Sequence, residues 1–184
     1  MAFQARPHSR PNVQMRRQFI INGSSDEINR VIYSIAGVGV NIFAKQTILV
    51  PDFFQRERCS TQNRTRKEDI LILVVGGVTN DERSNEQTRR ILRHSRVNFF
   101  EREAIQTPGG ILTPGTFARY LRVINLNGFT LLSSMITETG ESVFTFPPEQ
   151  TRRAYEILKR AVKIILENPV NADGALVNAG LISN

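Results

Sequence analysis

The chain switches between two spacings of apolar residues, and it does so twice. In INRVIYSIAGVGVNIF (28–43), Ile28, Val31, Ile32 and Ile35 fall at i, i+3, i+4 and i+7, the stripe of one helix face. In FARYLRVINLNGFTLL (117–132), Phe117, Tyr120, Leu121 and Ile124 repeat it, and Arg30 aligns with Arg119. Each stripe runs into a glycine, Gly39 or Gly128, a residue favoured just past a helix because it takes positive φ freely. Beyond the glycine the period becomes two. Val40, Ile42 and Ala44 alternate with Asn41, Phe43 and Lys45, and Phe129 and Leu131 alternate with Thr130 and Leu132, the spacing of a strand.

Each half then offers a second strand, ILILVV (70–75) or SVFTF (142–146), followed by a helix that carries the word EQTRR, at 86–90 and again at 149–153. QFIIN (18–22) and VNFFEREAI (97–105) predict a strand before each first helix. The predicted order per half is strand, helix, strand, strand, helix, with a closing strand either absent or supplied by the other half. The glycines are 89 positions apart and the EQTRR words 63, so the first half carries 26 more residues between its strands. Most of the surplus is PDFFQRERCSTQNRTRKED, polar and basic like a surface loop insertion.

Two strand–helix–strand crossovers of this kind make sheets with helices on one face. ILILVV is apolar on both of its faces, so something besides a helix layer must cover its second face, either the other module or another subunit. Within EQTRR, Glu86 and Arg90, and likewise Glu149 and Arg153, stand at i,i+4 and read as exposed helix pairs and not as a functional arginine motif.

Charge adds a second picture. Of the net +7, +4 lies in residues 1–18 (Arg6, Arg10, Arg16 and Arg17, no acid). Another +4 lies in residues 56–67, where Arg56, Arg58, Arg64, Arg66 and Lys67 face Glu57 alone, so the remainder is nearly neutral. These two segments are the candidate grip on nucleic acid or on a partner.

The chemistry of catalysis is sparse. His8 and His94 lie far apart in sequence, which leaves no histidine pair for a metal or a base, and a single cysteine, Cys59, excludes a cysteine zinc site and an internal disulfide. Gly76-Gly77 lacks the lysine and spacing of a phosphate loop and reads as a turn, and Glu101 and Glu103 share a strand face without a defined pocket. The expectation is a protein that is not an enzyme, with no cofactor and no metal. The start lacks a secretory apolar run, and no apolar run approaches membrane-spanning length, so the expected location is cytoplasmic. The Arg-rich start reads as a basic tail, with a short transit peptide as the alternative.

LTPGTFARYLRVINLNGFTLLSS (112–134) resembles the opening of an ACT domain, in which a Pro-Gly turn starts a helix and a small loop ends it before a second strand. GVGVNIFAKQTIL (37–49) is similar to the closing part of the same pattern. The resemblance spans about residues 18–165 and implies an α/β (α+β) fold of two ferredoxin-like ACT-type βαββα modules, with helices on one face of antiparallel sheets. The expected organisation is a basic flexible tail (1–17), module 1 (18–96) with a basic loop (51–69), module 2 (97–167) and a C-terminal tail (168–184).

The resemblance further implies a regulatory role: binding of an amino acid or other small metabolite at module interfaces, homo-oligomerisation, and action on a partner enzyme. Carried onto this chain, the ligand contacts are Leu112, Thr113, Pro114, Gly115 and Thr116, with Asn22, Gly23 and Ser24 as the weaker counterpart, since the first half has no proline there. Independently of any family, a glycine-bearing turn at a helix start presents backbone N–H groups to a carboxylate. Ser24 or Ser25 is also placed to cap that first helix. Two other functions stay open: nucleic-acid binding through the basic segments, and a scaffolding role in which 168–184 docks on a partner.

Overall fold

A computed structural model describes residues 12–48, 69–76, 81–108, 115–137 and 140–183. The basic loop, Cys59, Gly77, and Leu112, Thr113 and Pro114 lie outside these residues, as does the start of the N-terminal segment. The chain divides into two compact units: a first unit, Arg16–Glu103, and a second, Met1–Met15 with Ala104–Asn184.

The first unit contains β1 (Gln14–Gly23, shared with the second unit), α1 (Ser25–Gly37), β2 (Ile42–Ile48), β3 (Asp69–Val75), α2 (Glu82–His94) and the first part of β4 (Asn98–Thr107). β3 pairs antiparallel with both β1 and β2, so β1 and β2 run parallel and α1 makes the crossover between them. β4 lies on the other side of β1. This is the order of a ferredoxin-like βαββαβ unit, and the closing strand is supplied by the opening strand of the following half.

The second unit repeats the plan with the remainder of β4, α3 (Thr116–Leu126), β5 (Ser133–Ile136), β6 (Ser142–Thr145) and α4 (Pro148–Glu167), to which it adds α5 (Ala172–Asn178). β6 pairs antiparallel with β4 and with β5.

Alternation sets the cores. In the first unit Phe19 and Ile21 of β1 and Leu71, Leu73 and Val75 of β3 join Ile28, Val31 and Ile35 of α1 in one buried cluster. In the second, Ile105, Phe144 and Phe146 meet Tyr120, Val123 and Ile124 of α3 and Leu158, Val162 and Ile165 of α4. The helix stripes read from the sequence are the ones that pack. The second sheet faces are buried too: Ile72 and Val74 in one unit, Ala104 and Val143 in the other.

The same device ends α1 and α3. Gly39 (φ 76°) donates to the Ala36 carbonyl and Val40 to that of Ile35, while Gly128 (φ 73°) donates to Asn125 and Phe129 to Ile124. These are paired 5→2 and 6→1 bonds, closed by the apolar contacts of Val40 with the Ile35 cluster and Phe129 with the Ile124 cluster. The device corrects one strand expectation. Phe129 is consumed by the cap, so β5 starts only at Ser133, after the Leu132 N–H has already joined Thr145.

The EQTRR words diverge in use. Glu86 and Arg90 are paired as expected, at 3.4 Å. Arg153, expected to pair with Glu149, instead lies 5.2 Å over the Phe129 ring, where a cation gains from the π face. Arg89 anchors a network: Nε and Nη2 donate to the two oxygens of Glu101 at 2.8 and 3.0 Å, and Nη1 reaches Glu82 and Glu86 at 2.7 and 3.3 Å. The hydrogen bonds from Arg89 hold the carboxyls of Glu82 and Glu86 below their ordinary value, and those to Glu101 and Glu82 push Arg89 itself up.

Depressed carboxyls stabilise the folded state only while ionised. Stability is therefore complete above the ordinary glutamate value of 4.5 and falls as pH drops through the lower folded values. Thermal melts from pH 6 to pH 3 are expected to show the loss, and Glu82→Gln with Glu86→Gln to flatten it.

The C-terminal segment is not a solvated tail. Ala172, Leu176, Leu181 and Ile182 are buried in the second unit's own core, and Gly180 (φ 67°) ends α5 with the same pair of bonds, to Val177 and Leu176. These four of the apolar residues that sequence offered to a partner are thus spent within the unit, while Val170 stays exposed.

Candidate functional site

The two helix starts expected to bind a ligand differ in electrostatics. At α1, Ser24 is the N-cap, and its Oγ accepts from the Glu27 N–H while the Glu27 carboxylate accepts from the Ser24 N–H at 2.9 Å. This is a reciprocal capping box. Gly23 lies so close that a Cβ there would stand 3.3 Å from Glu27 Cβ. Across the ladder from Gly23 stands the buried Asp69, whose Oδ2 accepts from Ser25 Oγ. Two carboxylates therefore surround this start, and one occupies the position an incoming carboxylate would need. Replacing Ser24 with alanine is expected to cost about 1 kcal/mol, read as a shift in the urea midpoint.

At α3 the arrangement is the reverse. Gly115 is the N-cap, with φ 83°, and as a glycine it brings no side chain to cap the helix. The first turn holds no acid. Arg119, one turn on, donates its N–H to the Gly115 carbonyl at 3.0 Å, and its guanidinium lies 3.8 Å from where a Cβ of residue 115 would stand. The positive end of the helix thus has no acid in its own first turn, and the cation beside it is held by Asp173, whose carboxylate oxygens accept from Arg119 Nε and Nη2 at 3.1 Å. Thr116 itself is buried. Tyr120 stands behind the turn with its hydroxyl donating to the Pro108 carbonyl at 2.8 Å, and burial pushes that phenol well above its ordinary value.

The second unit also carries a groove of about 760 Å³ between Asn12–Gln14 and one face of α4. Its apolar floor is Val13, Val162 and Leu166, and Lys159, Arg160 and Lys163 stand on its rim against Glu156 and Glu167. The Tyr155 hydroxyl ties the helix to the Val13 carbonyl at 3.4 Å. Its size falls in the range of small-molecule sites. None of the residues predicted from sequence lines it.

The structure thus brings Gly115 and Thr116 together at one helix start, and Asn22, Gly23 and Ser24 at the other. Leu112, Thr113 and Pro114 lie outside the described residues, and so do Arg56, Arg58, Arg64, Arg66 and Lys67. Glu101 and Glu103 are ion-paired, to Arg89 and Arg17. Among the described residues no cluster of acids, histidine and cysteine is arranged for a metal, and no helix is long and apolar enough to cross a membrane. Arg119 is the functional candidate that sequence reasoning passed over. Its signal was the alignment of Arg30 with Arg119 between the repeats.

No protein-family model and no curated protein sequence matches the chain. Among solved structures, protein BT0572 from Bacteroides thetaiotaomicron is similar in fold, with a TM-score of 0.56 over 81% of this chain and 90% of that one, at 14% identity. The regulatory subunits of aspartate kinase from Thermus thermophilus and Thermus flavus give TM-scores of 0.45 and 0.44. They cover 83% and 79% of this chain, and 95% and 93% of theirs, at 14% and 13% identity. Agreement that loose decides nothing about this chain. The likeness to BT0572 supports the α+β fold alone, the class implied by the ACT resemblance.

Proposed function

We propose that the protein is a non-catalytic regulatory module that binds a small amino-acid-like metabolite at the start of α3 and passes its occupancy to a partner protein. The observation that carries this reading is the contrast between the two helix starts. The α1 start is filled by Glu27, whereas the α3 start offers backbone donors beside Arg119 with no acid in its first turn. A carboxylate placed there gains charge-assisted hydrogen bonds from the helix end, close to the Arg119 guanidinium that Asp173 already holds at 3.1 Å. The ACT resemblance of 112–134 assigns the ligand to the same turn, with Leu112, Thr113 and Pro114 completing the contact.

Calorimetry and thermal-shift measurements against a panel of amino acids and related carboxylates test the reading. Binding is expected for at least one member, and it is expected to vanish in Gly115→Asp, whose own carboxylate would take the anion position as Glu27 does at α1. Silence across the panel at millimolar concentration, or binding unaffected by Gly115→Asp, overturns it.

A further inference from the structure

The repeat makes one unit a template for reading the other. In the second unit, α5 and the residues after it lie across α3 and α4 and are held by four polar grips. Arg119 Nε and Nη2 each bond a carboxylate oxygen of Asp173 at 3.1 Å. Arg122 donates to the Ser183 carbonyl, Asn127 to that of Leu181 at 3.0 Å, and Arg160 to that of Ala179 at 3.1 Å. Beneath them Leu176, Leu181 and Ile182 are buried.

The register that aligns Gly39 with Gly128 places Arg30 at Arg119, Tyr33 at Arg122, Ser34 at Val123 and Val38 at Asn127. The register of the EQTRR words places Val97 at Arg160. Among the described residues of the first unit no counterpart of α5 covers these positions. Arg30, Ser34 and Val97 line a cavity of about 310 Å³ together with Glu27, His94 and Ser95. Tyr33 and Val38, the counterparts of two gripping residues, are large apolar side chains left 77% and 52% exposed.

We infer that this face of the first unit, between α1 and the end of α2, is a docking surface for a short helix of a partner protein. That helix carries a carboxylate in its first turn, opposite Arg30 as Asp173 is opposite Arg119, and aliphatic side chains further along that cover Tyr33 and Val38. The cavity floor is more polar than in the second unit, with Ser34 in place of Val123 and His94 in place of Ile157, so the occupant also presents a hydrogen-bonding group there. The chain's own α5 is excluded as the resident, because it already fills the second unit's site.

The test uses the full-length protein and a synthetic peptide of residues 168–183, which carries the Asp173 carboxylate and the three aliphatic side chains. Saturable NMR shifts are expected at Arg30, Tyr33, Val38 and His94, at least tenfold weaker with Arg30→Glu protein and with an Asp173→Asn peptide. Shifts confined to α3 and α4, reporting exchange with the resident α5, overturn the proposal. So does the absence of shifts at millimolar peptide, or the same shifts produced by acetate alone. Self-association of the full chain that Arg30→Glu abolishes overturns it in favour of a second copy as the occupant.

Discussion

Replacing Phe144 with alanine is expected to lower the unfolding free energy by about 3–5 kcal/mol, the range for removing a buried aromatic side chain from a packed core. Phe144 is fully buried, its ring stacks on Phe117 at 5.8 Å, and Tyr120 meets it edge-on at 6.1 Å. The two contacts hold β6 against α3, so the cost combines lost apolar burial, lost ring contacts and a cavity that two neighbouring rings cannot collapse to fill. Urea unfolding at neutral pH checks it. A loss below about 1 kcal/mol would mean that α3 does not pack on β6 as described. Phe144→Leu keeps most of the volume and is expected to recover at least half the loss.

Leu176→Ala is the second large effect, expected at about 2–5 kcal/mol although it lies in a helix of seven residues. A helix that short has almost no stability of its own in water, so what holds it is burial of Ala172, Leu176, Leu181 and Ile182, the grip on Asp173 and the grips on the carbonyls that follow the helix. Ending the chain after Glu167 removes all of these at once and uncovers apolar surface on α3 and α4. Urea unfolding of Leu176→Ala and light scattering of the shortened chain test the pair. A shortened chain that melts like the full one would show that the segment contributes nothing to the core.

Much of this architecture was legible because its signals are periodic. The stripes of α1 and α3 fix which side of each helix is buried, and one glycine fixes where each ends. The S-x-x-E word at Ser24 and Glu27 also carried the capping box, though sequence reasoning used only the serine. What escaped was set by contacts distant in sequence. Nothing local shows that Arg89 reaches Glu101, or that Arg153 prefers a phenyl ring to Glu149. α5 is too short to display a period, and its exposed charge and small residues look like a tail until the core beneath it is known.

At the candidate site the reason is similar. Gly115 was visible as a turn, but the difference between the two helix starts depends on where one carboxylate folds back. The groove beside α4 combines that helix with residues near position 13, which no local pattern links.

That last pairing bears on the order in which the chain can fold as it is made. The first unit is one continuous stretch, Arg16–Glu103, and holds everything it needs once β4 has emerged. The second unit needs Val13, which Tyr155 meets across 142 positions of sequence. Residues 12–15 must therefore wait, with an apolar side chain uncovered, until α4 has been made. During that interval the nascent chain depends on the early unit's solubility and on whatever shields Val13 and Met15, and the later half sets the pace of maturation.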